Sequence, residues 1–305
     1  MRYIQSSKKH PAVSVIMASY NYARFIKEAV DSVLAQKVSD WELLIVDDGS
    51  TDGSLEILAA YVESDSRIHL FQHDDKKNHG LPATLQLGTR HARGRYIAFL
   101  ESDDVWTPEC LEKRLRCLEK HPDAGAVFND LSLLVMDGDS THGDSVMVAS
   151  MRKRFESYTS PFMLLDILLI QNCIPSFSCI MLNANILQKT SFKSPIPRWL
   201  DWWLWIQIAR HSSFAYVNSA CTLWRVHNSS YNNKHKLFMY IHDLSAMWQG
   251  FKTLLANHDG LSLQSRILLR LPVIFPLALR IADITVRGGL IGVLRRIRSK
   301  ISFAA

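Results

Sequence analysis

Tyr96-Ile97-Ala98-Phe99-Leu100-Glu101-Ser102-Asp103-Asp104 is the stretch on which the reading of this chain turns. Tyr96 to Leu100 is an apolar, β-rich run of the kind that forms a strand buried on both faces. It stops abruptly at carboxylates. The pattern recurs upstream, where the strand-like Trp41 to Val46 ends in Asp47-Asp48-Gly49-Ser50 and Val13 to Ala18 ends in Ser19-Tyr20-Asn21. Between these runs lie helical segments. Ala23 to Gln36 carries Phe25, Ile26, Ala29, Val30, Val33 and Leu34 at helical spacing, and another helix is expected from about Ser54 to Glu63. Ile68 to Gln72 is a short strand. Pro82 to His91 and Pro108 to Glu119 are helices with proline near the start, and Ala126 to Phe128 adds a fifth strand. Such alternation predicts an α/β fold, a doubly wound and mostly parallel sheet flanked by helices. Ligands of such sheets bind beyond the carboxyl ends of the strands, near the switch in strand order, and three strands here deliver polar or acidic groups to that rim.

Carboxylates crowded on one rim repel one another and stay ionised easily only beside a cation. Hard oxygen donors of this kind suit Mg²⁺ or Mn²⁺, which also bind substrate phosphates. A phosphate-bearing ligand bridged by metal is therefore expected. Alone, Asp47-Asp48-Gly49-Ser50 reads equally well as a turn; its pairing with Glu101 to Asp104 on another strand favours a site. No G-x-G-x-x-G opens a helix after the first strand and no G-x-x-x-x-G-K-[ST] occurs. Dinucleotide oxidoreductases and P-loop NTPases are thereby disfavoured, and metal and side chains must hold the phosphates.

The 305 residues suffice for one large domain, or a domain with an appendage. With 48% hydrophobic and 21% charged residues the chain is expected to fold. Its net charge of +6 is unevenly spread: from Arg287 onward there are Arg287, Arg295, Arg296, Arg298 and Lys300 and no acidic residue. An anionic partner at that end is expected; nucleic acid is not. Cys110, Cys117, Cys173, Cys179 and Cys221 form no C-x-x-C pair, which suggests reduced thiols in a cytoplasmic protein. No signal-like segment opens the chain. The longest apolar stretch, Ile267 to Ile281, is broken by Arg270, Pro272, Pro276 and Arg280, so no integral membrane span is expected.

Taken together, Val13 to Asn21, Asp47 to Asp52 and Phe99 to Trp106 resemble the inverting GT-A glycosyltransferases of family 2. The likeness continues in Leu200-Asp201-Trp202-Trp203, similar to the family's Glu-Asp-containing acceptor-side helix, and in Trp224 to Ser230, similar to its Tyr-Arg-x-His segment. It spans roughly Ala12 to Tyr231. The resemblance implies a GT-A-like fold and a nucleotide-sugar donor bound by Ser19, Tyr20, Asn21, Asp47, Asp48 and Asp103. Tyr20 would stack near the base and Asp48 would contact it. Asp103 and Asp104 would hold Mg²⁺ or Mn²⁺ at the diphosphate with Glu101 beside them, His227, next to Arg225, would assist the diphosphate or the metal, and Asp201 would be the general base. The chain departs from the pattern at Glu101, where the family has Asp, at Leu85-Gln86, where it has Arg-Asn, and at Leu200, where it has Glu.

Read locally, Asp201 fits a helix N-cap as well as a base, and His227 fits a structural histidine. Most of Trp199, Trp202, Trp203 and Trp205 are expected in the core. Residues 1–233 are expected to form the catalytic domain, with a nucleotide-sugar half over about 12–130 and an acceptor half over 131–233, and 234–305 a mainly helical, basic extension. Leu290, Leu294, Ile297 and Ile301 share one helical face there, which fits either packing on the catalytic domain or attachment to an anionic membrane surface. The functional expectation is sugar transfer from a UDP- or TDP-sugar to a glycan or glycolipid, including a lipid-linked acceptor, in cell-surface polysaccharide synthesis. That places the protein in the cytoplasm, with peripheral contact at the inner face of the membrane. The alternatives are a catalytically inactive nucleotide-sugar-binding module and a nucleotidylyltransferase, although the latter would carry a Gly-rich, basic loop where Ser19-Tyr20-Asn21-Tyr22 stands.

Overall fold

Continuous apolar runs become the centre of the sheet in a computed structural model, which describes residues 10–135, 155, 157–227, 237–256, 258 and 261–270. Strand β1 (Val13–Ser19) lies between β2 (Trp41–Asp47) and β4 (Tyr96–Phe99), and β3 (Ile68–Gln72) lies outside β2, all parallel. Helices α1 (Ala23–Leu34), α2 (Ser54–Ser64) and α3 (Leu81–His91) make the connections. Alternate residues of β1 serve opposite faces: Val13, Val15 and Met17 join the core under α1, while Ile16 joins the one on the other side of the sheet.

The second half closes the sheet differently. The two-residue β5 (Val105–Trp106) leads into α4 (Cys110–Lys120), and β6 (Ala124–Val135) follows. After α5 (Leu165–Ile170) come β7 (Ile180–Asn183), the short α6 (Ala184–Leu187), α7 (Leu200–Ala209) and β8 (Ser213–Val226), then α8 (Leu237–Leu255) and α9 (Leu263–Arg270). The eight strands run in the order β3-β2-β1-β4-β7-β6-β8-β5, with β7 antiparallel to β4 and β6, and β5 antiparallel to β8. The expected doubly wound, mostly parallel sheet is thus present, with antiparallel strands added beyond β4. Helix α7 is buried along almost its whole length, Trp202, Trp203 and Trp205 included, as its unbroken apolar sequence requires.

Strand order reverses between β1 and β4, because α1 leads from β1 to β2 on one side while the chain returns to β4 on the other. The crevice beyond their carboxyl ends is where such folds bind ligands. All five cysteines are free thiols. Among the described residues no helix is long and apolar enough to cross a membrane. The segment from Arg287 onward, including the Leu290 to Ile301 face, lies outside the described residues.

Candidate active site

Strand register decides which distant segments meet at this crevice. Antiparallel pairing sets Ala98 opposite Met181, so the residues just before β7 fall beyond the carboxyl end of β4, against the acidic loop Glu101–Asp104. Pairing of Val105 with Leu223 likewise carries Arg225 and His227, at the end of β8, back beside Asp103 and Asp104.

The contacts follow from that register. The Asp104 carboxylate is fully buried and accepts from the Arg225 peptide N–H at 3.0 Å and from Ser176 Oγ at 3.2 Å. Ser176 Oγ also lies 2.6 Å from Glu101 Oε2, and Glu101 N donates to Ser178 Oγ at 3.0 Å. Arg225 donates through Nε to the Asp103 carbonyl at 2.7 Å, pairs with Glu28 of α1 at 2.7 Å and lies over the Phe25 ring. His227 Nε2 lies 3.1 Å from Asp103 Oδ2, and its ring packs on Phe25. Asp103 keeps 18% of its side chain exposed, whereas the Asp104 carboxylate faces protein on both oxygens.

Burial raises the Glu101 carboxyl well above its usual range, with Asp104 and Asp103 adding repulsion. Burial, then repulsion from Asp103, pushes Asp104 up to about 8. Burial and the same three carboxylates raise the Tyr22 phenol. A divalent cation would relieve this repulsion, and oxygen donors suit Mg²⁺ or Mn²⁺. Among the described residues no three His, Cys, Asp or Glu side chains form a ready-made cage. Mg²⁺-type binding needs only one or two carboxylates, with substrate phosphates and water completing the shell. The site therefore fits the ion.

On the rim formed by β1 and β2, Ser19 at the end of β1 is buried and its hydroxyl has no hydrogen-bond partner among the described residues, while Tyr20 beside it is exposed. Asn21 adopts φ 55°, and its side chain accepts from Thr51 N at 2.8 Å, tying the β1 loop to the β2 loop. Asp47 accepts from the N–H groups of Gly49 and Ser50 and from the Ser50 hydroxyl, the turn arrangement that its sequence allows. Asp48 accepts from His79 N at 2.7 Å and Gly80 N at 2.9 Å, with His73 Nε2 at 3.3 Å. Both aspartates thus brace loops at the mouth of the crevice. Leu85 is buried on α3 and Gln86 is exposed.

Asp201 occupies the second position of α7; the N-cap is Trp199, which makes no side-chain cap bond. The carboxylate accepts from Asn172 Nδ2 at 2.7 Å. Burial raises it to about 6, partly opposed by the peptide N–H of Trp202 and by Asn172. Its charge in turn adds to the repulsion on Glu101, so base candidate and acid loop share one electrostatic environment. Tyr22, Glu28, Asn172, Ser176 and Ser178 went unpredicted. Tyr22 and Glu28 lie just past the first strand-end motif, at the N-cap of α1 and on it, whereas Asn172, Ser176 and Ser178 have no motif and are brought in by the register of β7.

The sheet order, and an acidic loop at its switch point, are those of the GT-A glycosyltransferase fold. TarS from S. aureus, residues 1-349 in complex with UDP, superposes with a TM-score of 0.64 at 18% identity, covering 84% of this chain and 69% of that one. The chain belongs to glycosyl transferase family 2, whose profile matches residues 14–190. It is 42% identical over 128 residues to the putative teichuronic acid biosynthesis glycosyltransferase TuaG of Bacillus subtilis, covering 42% of this chain and half of that one. It is also 29% identical over 227 residues to the UDP-Glc:alpha-D-GlcNAc-diphosphoundecaprenol beta-1,3-glucosyltransferase WfgD of Escherichia coli, covering 73% of this chain and 81% of that one.

Proposed function

We propose that this chain is an inverting, metal-dependent glycosyltransferase that moves a sugar from a UDP- or TDP-sugar to a glycan or lipid-linked acceptor in cell-surface polysaccharide synthesis. The observation that carries the reading is Asp201, a carboxylate held near 6 by burial and set within the electrostatic reach of the acid loop. Such a group is ionised at neutral pH yet more basic than an ordinary carboxylate, as a general base should be. It would take the proton of an acceptor hydroxyl attacking the anomeric carbon from the face opposite the leaving diphosphate.

Asp103 would hold Mg²⁺ or Mn²⁺, with Asp104 and Glu101 behind it, and the ion would supply charge neutralisation for the leaving nucleoside diphosphate. Asp104 positions the Arg225 backbone, and His227 orients the Asp103 carboxylate. Ser19, Tyr20 and Asn21 form the nucleoside side of the crevice, and Asp47 and Asp48 keep its wall in place. The donor half corresponds to about 12–130, the acceptor half to 131–233, and 234–305 is an extension that meets the anionic inner face of the membrane from the cytoplasm. The names of TuaG and WfgD, and the UDP bound to TarS, support the donor and acceptor classes.

The test is turnover of a panel of UDP- and TDP-sugars with an undecaprenyl-diphosphate-linked sugar acceptor, with and without Mn²⁺, with the product anomer assigned by NMR. Metal-dependent transfer with inverted configuration is expected. Retained configuration, or equal rates in excess chelator, would overturn the mechanism.

A further inference from the structure

Between α5 and β7 the chain runs as a strap, Gln171 to Cys179, that is gripped from several directions. Two indoles of α7 donate to its backbone and to the end of α5: Trp202 Nε1 to the Leu168 carbonyl at 2.7 Å, and Trp205 Nε1 to the Ile174 carbonyl at 3.2 Å. Farther along, Ser176 and Ser178 bond to Glu101 and Asp104. The Ser178 carbonyl accepts from Trp106 Nε1 at 2.8 Å and from the buried Arg114 guanidinium. One short segment is therefore tied to the helix bearing Asp201 and, two to four residues past Ile174, to the acid loop.

Asn172 stands between Leu168 and Ile174, whose two carbonyls α7 grips. Its Oδ1 accepts from Ile174 N at 3.3 Å, which fixes the amide so that Nδ2 points to Asp201 Oδ2 at 2.7 Å. A donor so placed holds one carboxylate oxygen and with it the plane of the group, and it favours the ionised form. We propose that Asn172 is a positioning residue for the transfer reaction, orienting Asp201 towards the acceptor while the strap that carries it sets the distance between base and diphosphate site. This rests on the reading of Asp201 as the base. At Asp201 burial raises the carboxyl, and the peptide N–H groups of Trp202 and Asp201 and the Asn172 amide oppose it; the Asp201 charge in turn acts on Glu101, on the loop after β4.

Asn172→Asp separates this role from a merely structural one, because it retains the oxygen that accepts from Ile174 N but removes the donor facing Asp201. Turnover should fall about 10–100-fold in both Asn172→Asp and Asn172→Ala, the effect of losing one charge-assisted hydrogen bond to the base. The acid limb of the pH–kcat profile should move to higher pH, and by linkage the melting temperature at pH 7.5 should fall modestly, while Mn²⁺-dependent UDP affinity stays at the parent value. Asn172→Asp with the parent's kcat and acid limb overturns the proposal. Asp201→Asn is run alongside: if it is inactive while Asn172→Asp is unchanged, only the positioning role fails, whereas an Asp201→Asn enzyme at the parent rate overturns the base assignment and this role together.

Discussion

Replacing Asp201 by Asn should make the protein more stable and nearly inactive at once. The side chain keeps its shape, and its carbonyl can still accept from Asn172 Nδ2, now 2.7 Å from the carboxylate. Losing a general base should lower acceptor-dependent transfer by about 10²–10⁴-fold, roughly 3–5 kcal/mol of transition-state stabilisation. Stability should move the other way. The carboxyl titrates near 6 in the folded protein against 3.8 ordinarily, so the folded state holds this proton more tightly than the unfolded chain does. The penalty for ionising it is absent below about pH 4, grows between there and about 6, and is complete above, reaching at most about 3 kcal/mol. With the side chain only partly buried, about 1–2 kcal/mol is expected, a rise in Tm of roughly 2–8 °C at pH 7.5. At pH 4 the gain should vanish. Differential scanning calorimetry at both pH values, with radiolabelled-sugar transfer at pH 7.5, checks this, and the parent's kcat should fall on the acid side with a midpoint near 6. An Asn variant that transfers at the parent rate, or that melts lower at pH 7.5, refutes the reasoning.

Asp103→Asn should weaken Mn²⁺-dependent UDP binding by more than about 100-fold, while Asp104→Asn should fall within the roughly 10–100-fold typical of groups behind a ligand; calorimetric titration showing the reverse order would make Asp104 the direct ligand. Gly49 sits at φ 81°, and a Cβ there would lie 2.9 Å from the Lys76 carbonyl and 3.0 Å from Asn78 N. Gly49→Ala should therefore destabilise by at least about 1–3 kcal/mol, and because it disturbs the loop whose N–H groups hold Asp48, nucleotide KM should rise more than kcat falls.

The parallel half was legible because each strand is an uninterrupted apolar run stopped by turn residues. The rest was obscured for identifiable reasons. Ala126 to Phe128 proved to be the middle of a strand running from Ala124 to Val135, since register shifts at Asn129 and Asp130 place polar residues where alternation should continue. Strand β8 lacks clean alternation for the same reason, and the two residues of β5 are too few to show any. The N-cap reading of Asp201 gives way because Pro197–Trp199 forms a short 3-10 turn that starts the helix earlier. Ser176 and Asn172 have no local signature at all: their partners lie 72 and 29 residues away in sequence.

The antiparallel return of β8 onto β5 also bears on how the protein is made. Arg225, whose backbone secures Asp104, follows it by 121 residues. On a ribosome working at about 5–20 residues per second, the acid loop would leave the tunnel roughly 6–24 s before its brace. During that interval β1 to β4 can pair, but Glu101, Asp103 and Asp104 have neither Ser176 nor Arg225 to hold them. A nascent chain reaching only to β4 would thus display these carboxylates before they are braced, and the loop would take its final form only when β8 had been synthesised.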